Sequence, residues 1–134
     1  MIWFEATACL PEGRANPRQL WLNEANLDRF QALLDMIRET AVRECGHAPL
    51  LIMQNTHSGR YSRPHGFPEP IIAYRNPVFE KEHPISSERI ITDEGLDRVE
   101  EALVRNAVLA EKAAFAAIRP IRSGAWRRSF LPAA

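Results

Sequence analysis

Residues 55–70 read Asn-Thr-His-Ser-Gly-Arg-Tyr-Ser-Arg-Pro-His-Gly-Phe-Pro-Glu-Pro and gather more chemically capable side chains than any other stretch of the chain. His57 and His65, eight positions apart, could face each other across a phosphodiester, one accepting a proton while the other donates. Arg60 and Arg63 would neutralise the phosphate oxygens, so the segment can be read as a metal-independent His-based phosphodiesterase or nuclease. The signatures that usually accompany such chemistry are missing. There is no His-x-Thr/Ser repeat, no Gly-x-Ser-x-Gly nucleophile elbow and no phosphate-cradling glycine loop. A metal is the other chemistry that histidine suggests. His47, His57, His65 and His83 fit no HExxH or Cys/His zinc spacing, so neither a metal ligand set nor a cofactor is expected.

Binding uses the same residues differently. Arg60, Tyr61, Arg63 and Phe67 offer charge and planar faces on one loop, the composition of a protein-interface hot spot or of a nucleic-acid contact. A second cluster closes the chain: Arg122, Arg127 and Arg128 alternate with Trp126 and Phe130 in a cationic segment, 119–134, that holds no acidic residue. Arginine clusters count here only by their position. Fifteen of the seventeen basic residues are Arg, a bias that a GC-rich, prokaryotic coding sequence would produce by itself.

Seventeen acidic residues balance the seventeen basic ones, which removes the global field that draws a protein onto DNA or an anionic membrane. Contact with another protein is therefore favoured over contact with nucleic acid. No apolar stretch approaches the ~20 residues needed to span a bilayer, and a cytoplasmic location is expected. Cys9 and Cys45 stand at no motif spacing and are expected as reduced, buried thiols.

Elements must hold these residues in place. The run Ile2, Trp3, Phe4 and Thr7 predicts a first strand, and Pro11, Gly13, Asn16 and Pro17 a loop after it. Asn23 or Asn26 can cap a helix on which Leu27, Phe30, Leu33, Leu34, Ile37, Ala41 and Cys45 recur at helical spacing, with Gly46 as its C-terminal stop. The apolar residues Leu50, Leu51, Ile52 and Met53 predict a buried strand. Residues 71–75 form another β-like run, and 89–91 a short one. Thr92 is a good N-cap for a second helix whose apolar face continues through Ala107, Ala110, Ala114 and Ala117 until Pro120 ends it.

These elements predict an α+β two-layer sandwich in which two helices cover one face of a small, mainly antiparallel sheet. A ferredoxin-like arrangement would take its last strand from residues 126–131. The expected organisation is one domain over 1–118 followed by the cationic arm 119–134. The expected function is that of a non-catalytic accessory, regulatory or inhibitory protein that acts by contacting another protein, a second copy of itself being one candidate. An RNA- or DNA-binding module using the 55–70 loop and the arm is the next reading, and the His57/His65 phosphodiesterase the third.

Overall fold

Among the described residues, the three strands of the sheet all run in the same direction. In the computed structural model, which describes residues 1–122, β1 (Ile2–Ala8) and β3 (Ala117–Arg122) each pair in parallel with the central β2 (Leu51–His57). The spatial order is β1-β2-β3. One long helix, α1 (Leu27–Cys45), connects β1 to β2; a single turn, α2 (Pro77–Glu80), and a second long helix, α3 (Asp93–Lys112), lie between β2 and β3. The fold is therefore α/β, and the expected mainly antiparallel, ferredoxin-like α+β sandwich is wrong. Parallel neighbours need a crossover in place of a hairpin, and α1 and α3 supply the two crossovers.

Three local differences produce that change. Residues 71–75 form no strand; Ile72 makes a single bridge to Ile90, and that bridge also replaces the short strand expected at 89–91. Helix α3 stops at Lys112, well before Pro120. The alanine-rich run hides the stop. Ala114 turns the chain through a left-handed conformation, φ 68°, and the Phe115 N–H donates to the Ala110 carbonyl at 3.0 Å. Phe115 then packs edge-on against Phe4, ring centroids 4.9 Å apart, and Pro120 falls inside β3. The strand expected at 126–131 lies outside the described residues.

The helix starts follow their caps. Asn23 and Asn26 form a reciprocal capping box around a 3-10 turn, Glu24–Asn26, that leads into α1, and Gly46, φ 76°, ends that helix. Thr92 accepts a hydrogen bond from the Gly95 N–H at the start of α3. Phe30 and Leu34 of α1 and Leu109, Ala110 and Ala113 at the end of α3 share one core with Phe4, Leu51, Met53 and Phe115. Both helices thus cover the face of the sheet that carries Leu51 and Met53. A buried amide pair extends the same face: the Asn106 side chain donates to the Ala8 carbonyl at 3.2 Å and to Asn55 Oδ1 at 3.1 Å, and Asn55 donates to the Leu103 carbonyl at 3.0 Å.

Candidate functional site

In open parallel sheets, ligands gather at the carboxyl ends of the strands, so that rim is where chemistry would be sought. His57 ends β2 there and is 3% exposed. The 3-10 turn Pro11–Gly13 lies against it, and a Cβ added to Gly13 would sit 2.5 Å from the His57 ring. The Gly13 carbonyl accepts from the Ser58 N–H at 2.8 Å, while the Gly59 N–H donates to His57 Nδ1 at 3.1 Å. An accepting Nδ1 places the neutral ring's proton on Nε2. Burial lowers the His57 pKa to about 4; nearby Glu12 raises it in part, and Arg98 lowers it. Glu12 and Arg98 themselves pair at 2.6 Å. The imidazole is thus neutral at pH 7 and packed under a turn.

His65 is far from this arrangement in character. It is exposed, pairs with Glu69 at 2.6 Å and stacks on Phe67 with ring centroids 6.0 Å apart. One histidine is enclosed and the other faces solvent on its own loop, which is unlike two imidazoles converging on one substrate. Cys9 is buried beside the same rim, and burial pushes its thiol up to about 12. Cys45 is exposed, contrary to the expectation that both cysteines are buried.

Arg60 is placed inside the protein. Its side chain is 5% exposed, pairs with Glu80 at 3.3 Å and donates to the Tyr74 carbonyl at 2.9 Å. The guanidinium also lies over the rings of Phe79, 5.1 Å, and Tyr74, 5.8 Å. Arg75 binds the other Glu80 oxygen at 2.8 Å and reaches Ser87 Oγ, and the Asn76 N–H donates to Glu80 Oε1 at 2.8 Å. Hydrogen bonds from Arg75, from the Asn76 backbone and from Arg60 hold the Glu80 carboxylate below its usual range. This cluster ties the segment after β2 to α2. Tyr61, Arg63 and Phe67, by contrast, are exposed on the outside of that segment.

A different surface emerges on the sheet itself. The register places Trp3, Ile52 and Ala117 at one level of the face opposite the helices, and Ala6, Gln54 and Arg119 at the next. The register of β1 shifts between Trp3 and Ala6, and the exposed Glu5 falls within that irregularity, next to Ala6 of the second level. Trp3 is 42% exposed, Leu50 just before β2 is 62% exposed, and Ile52 and Gln54 are partly exposed. The Arg119 guanidinium lies 5.8 Å from the centre of the Trp3 ring. Towards the carboxyl ends the same face closes, with Ala8 and Thr56 buried.

Of the residues singled out in the sequence, the structure gathers Tyr61, Arg63, His65 and Phe67 on one exposed segment and withdraws His57 and Arg60 from it. Arg122 belongs to the β3 backbone; Trp126, Arg127, Arg128 and Phe130 lie outside the described residues. The sheet face with Trp3, Glu5, Leu50, Ile52 and Arg119 was missed. Its signal was the alternation of exposed-type Glu5 and Trp3 with Phe4, which carries weight only once the strands are known to be parallel. Among the described residues no group of three or more His, Cys, Asp or Glu is placed to hold a metal ion, and no helix is long and apolar enough to cross a membrane. Compared with known proteins, the chain matches no family model and no curated protein.

Proposed function

We propose that the chain is a non-catalytic accessory or regulatory factor that works by docking another polypeptide on the sheet face where Trp3 and Leu50 are exposed. The observation that carries this reading is Trp3, 42% exposed at the amino end of a strand that pairs in parallel with β2. Parallel sheets are found almost only with both faces covered, because their crossovers put helices there. Here both long helices share one face, and an apolar surface of Trp3, Leu50 and Ile52 is left on the other among the described residues. Aromatic and arginine side chains are enriched where interfaces are strongest, and Trp3 lies within reach of Arg119.

The enclosure of His57 and Arg60 supports the same reading. An imidazole lowered to about 4 by burial is uncharged at neutral pH, and an arginine already bound to Glu80 and Tyr74 has little left to offer a phosphate. A photo-crosslinking amino acid in place of Trp3, introduced into the full chain in its native cells, tests the proposal. It should capture polypeptide, whereas the same group at Val78, 84% exposed and on α2, should not. Absence of any protein adduct at position 3 would defeat the reading.

A further inference from the structure

We infer that the polypeptide received by this face is a second copy of the same chain. The inference rests on the proposed docking role of the face and names its occupant. Glu5 and Arg119 lie on the two outer strands, at or beside the level of Gln54 on the central strand. No ion pair joins them among the described residues. A two-fold axis running along β2, between two such faces, would lay β1 of each copy over β3 of the other. Each Glu5 then meets an Arg119 of the opposite copy, twice per dimer. The same operation sets Trp3 over Ala117, because both lie at the level of Ile52, so the largest side chain of the face meets the smallest.

This is the self-complementarity that a closed, two-fold interface demands. Aligned packing of two sheets face to face is also an ordinary arrangement, with the sheets about 10 Å apart. The patch is small. Three strands about 4.8 Å apart, bare over roughly half their length, fall below the ~800 Å² per partner of a standard interface. The dimer is accordingly weak and reversible, and it dissociates on dilution.

Charge exchange tests the pairing directly. Wild-type full-length protein should show concentration-dependent dimerisation in sedimentation equilibrium. Glu5→Arg and Arg119→Glu, each alone, should weaken self-association at least about tenfold, since each places like charges opposite each other. Mixing the two variants should restore a dimer, because one chain then carries two arginines and the other two glutamates. Thermal melts superimposable on the wild type would establish that both variants are folded. A wild-type chain that stays monomeric at millimolar concentration, or a mixture that stays monomeric, overturns the inference. So does a crosslink from position 3 that maps within the same chain to residues 123–134. A crosslink mapping to a different protein overturns self-association and leaves the docking role standing, while no crosslink at all removes both.

Discussion

Ala114 occupies a conformation that suits glycine better than alanine. Among the described residues it is the non-glycine residue with positive φ, 68°, and it ends α3 so that Phe115 can reach Phe4. Replacing it by glycine should remove the Cβ strain and stabilise the fold by about 0.5 to 1 kcal/mol, less the greater freedom glycine gives the unfolded chain. Urea titration of Ala114→Gly measures the gain; a clear loss would show that the turn is unstrained. His57 provides a pH signature at the same scale. Its pKa falls from 6.5 to about 4 on folding, so the unfolded chain binds the extra proton between those values. Stability contributed by the neutral ring is fully present above pH 6.5 and is lost as pH falls through about 4, by roughly 3 kcal/mol in total. Denaturation curves from pH 7 to pH 4 should therefore be steeper for the wild type than for His57→Gln. Parallel profiles would mean that the imidazole is not buried.

The elements differ in how much of each could be read from the sequence. Caps and helical periodicity were legible: Asn23, Asn26 and Thr92 act where their side-chain chemistry places them, and Gly46 where its freedom to adopt positive φ does. The strand at 51–57 was visible in its apolar half, but Asn55, Thr56 and His57 look like loop residues until Asn106 and the Pro11–Gly13 turn are brought against them. Strand direction was invisible, because residues 71–75 have the composition of a strand yet pair only through the single Ile72–Ile90 bridge, outside the sheet. The end of α3 was hidden for a related reason: alanine favours helix, and only the distant Phe4 explains why the chain turns at Ala114. Arg60 shows the same limit. Its type suggested a surface contact, yet its partners Glu80, Tyr74 and Phe79 arrive from later in the chain. Arg60→Ala should cost about 2 to 3 kcal/mol, since it removes an enclosed guanidinium and leaves the Tyr74 carbonyl without that donor. Arg63→Ala, at an exposed position, should stay within about 0.5 kcal/mol of wild type. Equal melting temperatures for the two variants would contradict the buried cluster.

At the scale of the whole molecule, the face proposed to bind and the rim where His57 lies are separated along the strands. The first is partly exposed and near the amino ends; the second is packed and near the carboxyl ends. Substitutions at Trp3 should therefore alter association without moving the His57 pH profile, which titration of Trp3→Ser by the same denaturation series would check. The parallel register also dictates when this protein can fold. Ile2 waits for Leu51, Ile52 waits for Ala117, and Asn106 reaches back 98 positions to Ala8. No strand pair among the described residues can close locally, so the search for the first native contacts involves most of the chain, and refolding belongs with the millisecond-to-second folders of non-local topology. On the ribosome the same geometry postpones protection: a nascent chain stalled before residue 117 has emerged should be digested by protease along its length, and one extended past β3 should resist. Synthesis of β3, and not of α1, is the event that commits this polypeptide to its native state.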